Sequence, residues 1–395
     1  MKVLFIVGSC LKMNTSANLC HIAYIQGCVD RGDIVDVVSM SEKGCNIDTS
    51  IKLPKIRKWY NYCTSVMNTN MLNSSQIQSI HNSKLSFVYK IYHLLKDLIK
   101  KRYKLYPRTQ FIWARNAMKF KSDEFYDVLI SLATPYISHK VAADLIKMER
   151  VKCKKWIQIW EDPWSLDLYN SDHSNKEIEN EERKLISKAD EILYVTPLTL
   201  KYQAKHYPES SGKMKWMTLP YYYKKEYTAT NDSPSFGYFG DYYSFSRNII
   251  PFYESAKELN IKTYIYGNSD LTLKNTSEIT IRPRVPLDVL GEAENRTDVL
   301  VFLCNLRGGQ IPGKLYQYSA TNRKILFILD GTDEEKFIIK ENFEQYHRYY
   351  FCENTKYSIS EAITKIINNS NPDIQNYVVE EFSPKNTMNR ILKNS

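Results

Sequence analysis

The stretch that most constrains the chain runs from Val299 to Asp330. The apolar run VLVFLCN ends in a glycine-rich turn, LRGGQIPG; KLYQYSATNRK then leads into a second apolar run, ILFILD. Parallel strands need a crossover connection, usually a helix, so the pattern reads as a β–loop–α–β unit. Gly308, Gly309 and Gly313 let backbone come close to a ligand. Lys314 stands where the helix starts, and free N–H groups together with the helix dipole favour an anion there. A lysine at that place suits a phosphate better than a carboxylate. An ordinary βα loop with a solvated lysine fits the same residues, so the rest of the chain has to decide.

At 395 residues the chain exceeds one ordinary core, and about two domains are expected. No run reaches about 18 apolar residues, so no membrane-spanning helix is expected. MKVLFIVGSC turns polar too soon for a signal peptide and reads as a first strand. The eight cysteines form no CxxC pair, which suits reduced thiols in a cytoplasmic protein. HxxxH, DxD and Cys/His clusters are all missing, so no dedicated metal site is expected. The net charge of +10 suits a polyanion or an anionic membrane surface. No RNP-like or helix-turn-helix pattern accompanies it, and nucleic acid is not an expected partner.

Lys2–Val7 is a short apolar strand, Ala17–Arg31 has helical periodicity with Ser16 as its N-cap, and Ile34–Ser39 is a second strand. This is a βαβ opening whose loop, GSCLKMNTS, is not GxGxxG, so the dinucleotide fingerprint is absent. Residues 41–83 are polar and read as a loop and a helix. Asp127–Ser131, Lys155–Ile159 and Glu191–Thr196 read as further strands, with helices over Ser138–Met148 and Asn175–Ser187. The first half is thus an alternating α/β layer of about six parallel strands. A second α/β series begins near Pro234: Phe236–Phe239, a helix over Arg247–Asn260, Lys262–Tyr266, Glu278–Arg282, a helix over Leu287–Ala293, and then the opening unit. Residues 358–368 and 374–394 read as helices.

Between 84 and 106, Val88, Ile91, Leu95, Leu98 and Ile99 share one helical face. Lys90, Lys96, Lys100, Lys101 and Lys104 lie opposite. The helix either packs on the core with a solvated lysine face or contacts anionic lipid head groups, at about 1 kcal/mol per well-placed lysine.

Two Rossmann-like halves with a glycine-rich βα unit in the second resemble GT-B glycosyltransferases. More narrowly, they resemble the retaining family 4 enzymes that build bacterial capsule, exopolysaccharide or O-antigen. WIQIWEDPW, ADEILYVT, FGYFGDYYSFSRNIIPFYESAKEL and QIPGKLYQYSATNRKILFI carry the resemblance, in that order. It implies an α/β fold of GT-B architecture, with two Rossmann-like domains facing each other across a cleft. An acceptor-binding domain would span 1–220, a linker 221–234 and a nucleotide-sugar domain 235–372. A C-terminal helix in 373–395 would pack back towards the first domain.

The implied chemistry is sugar transfer with retention from a UDP- or GDP-sugar to a lipid-linked or saccharide acceptor, with no metal and no cofactor beyond the donor. Positive charge aimed at the departing diphosphate counts most in the transition state. The resemblance puts Arg247 and Lys314 in that role, each opening a helix. Gly8, Ser9, Thr15 and Ser16 would face the donor phosphates, with Gly240, Asp241 and Gly313 opposite, and Tyr316 in the same motif. Arg284 and Val285 would flank the base. The family's pair of glutamates, eight apart, falls on Gly309 and Gln317. The first carboxylate is therefore gone, and the second is an amide whose neutral hydrogen bonds are worth about 1 kcal/mol less than charge-assisted ones. Asp162 is the candidate acceptor-contacting carboxylate, for which a turn-forming aspartate before Pro163 fits as well; His139 is a further candidate acceptor contact, for which a helix-surface histidine is the better-fitting alternative. No nucleophile is assigned.

The resemblance implies a cytoplasmic protein held at the inner face of the membrane by the basic segment. Oligomeric state is not indicated. A catalytically degenerate scaffold and an epimerase on a similar fold are the competing readings.

Overall fold

The computed structural model describes residues 1–64, 105–167, 176–228, 233–307, 309–369 and 372–393. The first half forms a sheet of β1 (Lys2–Val7), β2 (Ile34–Met40), β3 (Lys58–Tyr62), β4 (Phe125–Ala133), β5 (Lys152–Trp160), β6 (Glu191–Tyr194) and β7 (Met214–Trp216). The strands are parallel in the order β3-β2-β1-β4-β5-β6-β7. The second half repeats the plan with β8 (Phe236–Phe239), β9 (Thr263–Tyr266), β10 (Ile279–Arg282), β11 (Val299–Leu303), β12 (Lys324–Leu329) and β13 (Tyr349–Glu353). Their order is β10-β9-β8-β11-β12-β13, again parallel.

Continuous apolar runs make the central strands. β1 buries Val3 to Val7 completely, and β11 and β12 bury nearly every side chain. Strands covered by helices on both faces need this pattern. Each sheet reverses its strand order once, between β1 and β4 and between β8 and β11. The loops leaving the carboxyl ends of strands at such a reversal splay apart and open a crevice.

The opening helix spans Ser16–Asp30, and its N-cap is Thr15, whose hydroxyl accepts from the Asn18 N–H at 3.2 Å; Ser16 is the first helical residue rather than the expected cap. The helix Pro384–Ile391 packs back onto it so closely that a Cβ on Gly27 would lie 2.2 Å from the Pro384 carbonyl oxygen. One apolar cluster runs through both halves, from Val7 and Leu219 to Tyr316, Phe382 and Met388.

Several elements differ from the sequence expectation. β3 lies in a stretch read as loop and helix. As an edge strand beside β2 it has no fully buried residue and shows no apolar run; with β7, also not read from the sequence, it brings the first sheet to seven strands rather than about six. The helix expected from Arg247 starts at Ile250, because Pro251 suits only a first turn and the Asn248 side chain accepts from the Ile250 N–H. The last helix starts at Pro384, capped by Ser383, not at residue 374. The helix Asp333–Glu344, with a Thr332/Glu335 capping box, and β13 complete the second domain. The basic segment with Lys90, Lys96, Lys100, Lys101 and Lys104 lies outside the described residues, as does Gly308.

Candidate functional site

On the first domain's side, the loop after β1 carries Gly8 and Ser9. The Gly8 N–H donates to Ser138 Oγ at 2.8 Å, and a Cβ there would come 2.7 Å from Ile137 Cγ2. Packing therefore already accounts for this glycine, and its amide is committed inside the domain. Ser9 Oγ donates to Asn18 Oδ1 at 2.6 Å. Ser16 opens its helix directly against the second domain: a Cβ on Gly313 would sit 2.9 Å from Ser16 Oγ.

β5 delivers the acidic part of the cleft. Strand alternation sends successive side chains to opposite sides. Glu161 is buried, with Oε1 3.5 Å from His21 Nε2. Half-buried Asp162 meets Gln310 of the second domain, whose Nε2 donates to Asp162 Oδ1 at 2.6 Å and approaches Asp167 Oδ1 at 3.4 Å. Burial, then the charge of Asp167, pushes the Asp162 carboxyl up to about 6, while Gln310 and the Arg247 charge pull it back. Burial and then Asp162 hold Glu161 well above the usual carboxylate range. Burial also lowers His21 to about 3.

His139 does not reach the cleft. It is fully buried, stacks near Trp160 with ring centroids 4.3 Å apart, and shares a 2.7 Å hydrogen bond with Ser131. Burial and then His21 keep it neutral. The acceptor contact expected of it is corrected: His139 lies on the buried face of the helix Ile137–Lys147, and its ring meets Ser131 of β4 and Trp160 of β5.

On the second domain's side, Arg247 sits in a turn after β8. Its Nε donates to Asn305 Oδ1 at 2.9 Å and its Nη1 to the Asp241 carbonyl at 2.7 Å. Asp241 also pairs with Arg284 and accepts from the Asn268 N–H at 2.9 Å. Arg284 is well exposed, whereas Val285 is packed partly against the core. A Cβ on Gly267 would meet the Gly240 carbonyl at 1.9 Å, so the loops after β8 and β9 touch backbone to backbone.

Lys314 opens a five-residue helix, Lys314–Tyr318, and its ammonium faces Glu294 Oε1 at 3.1 Å. Glu294 is almost fully buried and also accepts from the Tyr227 hydroxyl at 2.7 Å. Burial raises the Glu294 carboxyl, but Lys314 and Tyr227 outweigh it and leave the group below its ordinary value. Lys314 lies over the Tyr318 ring at 5.5 Å, and Arg247 acts electrostatically on the same tyrosine. The two cations thus both act on Tyr318, but Lys314 has a buried counter-charge, and Arg247 opens no helix.

Three further expectations change. Gln317 does not present its amide to a ligand: Oε1 accepts from the Tyr222 N–H at 3.1 Å and Nε2 donates to the Tyr223 carbonyl at 2.7 Å. Only an amide completes both bonds, since a carboxylate has no hydrogen to donate. Tyr316 is buried against Phe382 and Phe343 and forms core, not site. Gly309 has φ +67°, its carbonyl accepts from Thr196 Oγ1 at 2.9 Å, and a Cβ would lie 2.4 Å from Leu198 Cβ. There is no room for a glutamate at this domain–domain contact.

Gln310, Asp167, Asn305 and Glu294 were not anticipated. The only available signal was that Gln310 directly follows Gly309 in the glycine-rich turn. A pocket of about 440 Å³ opens beside this corner, lined by Pro163, Leu166, Thr199, Tyr202, Gln203 and His206 among others. Among the described residues, no group of His, Cys, Asp or Glu is arranged to hold a metal, and no helix is long and apolar enough to cross a membrane.

No family model and no curated protein sequence matches the chain. Solved structures do. TarM superposes with a TM-score of 0.61 at 11% identity, covering 100% of this chain and 99% of TarM. HepE of Anabaena, in complex with UDP and glucose, gives 0.54 at 11% identity over 99% and 95%. Sucrose-phosphate synthase from Thermosynechococcus elongatus gives 0.52 at 10% identity over 98% and 93%. These neighbours are GT-B glycosyltransferases, and this chain has the GT-B fold: two parallel-sheet Rossmann-like domains across a cleft.

Proposed function

We propose that the chain is a glycosyltransferase that moves a sugar, with retention and without a metal, from a nucleotide diphosphate sugar to a saccharide or lipid-linked acceptor in surface polysaccharide synthesis. UDP-sugars are the first donors to test, in line with the UDP and glucose held by the HepE structure; GDP-sugars come second. The observation that carries the reading is what meets Asp162 across the cleft: the Gln310 amide of the second domain donates to its Oδ1 at 2.6 Å, and the Arg247 charge acts on the same carboxyl. Asp162 follows β5 of the first domain, and Arg247 follows β8 of the second, at that domain's topological switch point.

As the anomeric C–O bond breaks, its electron pair leaves with the diphosphate and negative charge grows there. Arg247 is already held by Asn305 and the Asp241 carbonyl, so it meets that charge without reorganising. The acceptor oxygen forms the new C–O bond on the same face, and its proton passes to the departing phosphate. Asp162 accepts a hydrogen bond from the acceptor hydroxyl, and a pocket opens beside its neighbour Pro163. Residues 1–220 would hold the acceptor and residues 235–372 the donor. The lysines of the 84–106 segment would hold the protein on the inner, anionic leaflet.

A thermal-shift titration with UDP, GDP and CDP tests the reading. A ligand that binds only the folded state adds about 2.7 kcal/mol at a hundredfold excess over Kd. The scaffold reading also has support: Gly309 leaves no room for a carboxylate, Gln317 is tied to the linker, and Lys314 is neutralised by Glu294. It predicts no shift with any nucleotide.

A further inference from the structure

We propose that Gln310 is a positioning residue for this reaction: it reaches across the cleft and holds Asp162 by Oδ1, so that Oδ2 is the oxygen offered to the acceptor hydroxyl. The inference rests on the transferase reading and adds a residue to it.

The geometry is specific. Gln310 is 7% exposed, and Ile311 beside it is 5% exposed. On its other side Gly309 is pinned to the first domain by the Thr196 hydroxyl and by contact with Leu198. The loop therefore has little freedom, and the amide is delivered to the two carboxylates of Asp162 and Asp167. Among the described residues Asp162 forms no further hydrogen bond. Oδ1 is thus committed to the second domain, and Oδ2 is left for something outside the fold.

An amide is the group this place calls for. Its NH2 offers two hydrogens to two carboxylates and carries no charge of its own. A glutamate would add a third negative group to the pair. A lysine would neutralise Asp162 outright and weaken its proton affinity. Gln310 instead orients the carboxylate while leaving its basicity largely to its surroundings. The groups that act on Asp162 are Asp167 on the same loop, Arg247 from the turn after β8, and Gln310. Glu161 and Cys20 respond to Asp162 in turn, Cys20 from the Ser16–Asp30 helix, and Tyr136 feels it from the end of β4. Because Gln310 belongs to one domain and Asp162 to the other, the oriented carboxylate exists only while the domains are closed.

The test compares wild type, Gln310→Leu and Gln310→Lys for UDP or GDP binding by thermal shift, and for nucleotide release from the matching nucleotide sugar between pH 5 and 9. Gln310→Leu keeps nucleotide binding within about twofold and loses at least about tenfold in kcat, the size of about 1.4 kcal/mol of lost transition-state orientation. Its acid limb moves to higher pH, because a hydrogen bond that favoured the carboxylate is gone. In Gln310→Lys the acid limb moves to lower pH, because a cation now favours the carboxylate. A residue needed only for packing would change amplitude without moving the limb in opposite directions. Acid limbs that coincide in all three proteins, with nucleotide binding intact, overturn the positioning role. A wild type that neither binds nucleotide nor releases it from nucleotide sugars overturns the transferase reading itself, and the positioning role with it.

Discussion

Asp162→Asn should make the protein more stable at neutral pH while lowering its activity. In the folded chain the Asp162 carboxyl titrates at about 6 instead of 3.8, because burial and the neighbouring Asp167 disfavour its charge. A displacement of that size corresponds to about 3 kcal/mol. Because the folded-state value lies above the unfolded one, the ionised group is a burden at neutral pH, one that is relieved as pH falls through about 6 towards 4. Asparagine keeps an oxygen for the Gln310 amide and carries no charge. Asp162 is only half-buried, so relaxation and solvent trim the expected gain to about 1–3 kcal/mol at pH 7.5. The gain should vanish near pH 4, where the wild-type carboxyl is itself protonated. Denaturant melts of the two proteins at pH 7.5 and pH 4 measure it. An Asp162→Asn protein that is less stable at pH 7.5, or stabilised equally at both pH values, would refute the reasoning.

Arg247→Ala should lower turnover by about 100-fold, the size of losing a preorganised partner for developing charge; steady-state kinetics with a UDP-sugar read it, and near-normal kcat would remove Arg247 from the chemistry. Lys314→Ala should cost about 1–3 kcal/mol, because it strands the buried Glu294, with a discount for the partial exposure of Lys314. Glu294 lies below its ordinary value in the fold, so this penalty is fully present above pH about 4.5 and fades as pH falls and Glu294 protonates. Urea melts at pH 7 and pH 4 check this, and turnover should fall less than in Arg247→Ala. Neutralising Lys100, Lys101 and Lys104 should weaken co-sedimentation with anionic liposomes and leave the melting temperature nearly unchanged; undiminished sedimentation would return that segment to a plain domain helix.

The fold was legible in the sequence where burial leaves a pattern. β1, β11 and β12 are covered on both faces and so read as unbroken apolar runs. β3 was not legible, because an edge strand with no fully buried residue looks like a polar stretch with aromatics. At the site, residue type was readable but orientation was not. Arg247 and Asp162 were picked by chemistry, and the Arg247 charge does reach the Asp162 carboxyl. His139 was picked the same way and turned out to be core. Asp162 and Gln310 lie 148 residues apart, and a contact between two loops of different domains leaves no periodic trace. The two positions that lack the glutamates of the family it resembles were visible in the sequence, but their physical explanations come only from the packing: Leu198 occupies the space at Gly309, and the linker backbone needs both ends of the Gln317 amide.

The central claim is that the cleft binds a nucleotide diphosphate sugar, and a thermal-shift titration with UDP, GDP and CDP tests it most directly. A saturable rise in melting temperature with one of them, larger than with the matching nucleoside and lost in Arg247→Ala, is the predicted result. No rise with any of the three, at concentrations far above those at which nucleotide-sugar enzymes saturate, would contradict the account and leave a GT-B scaffold in its place.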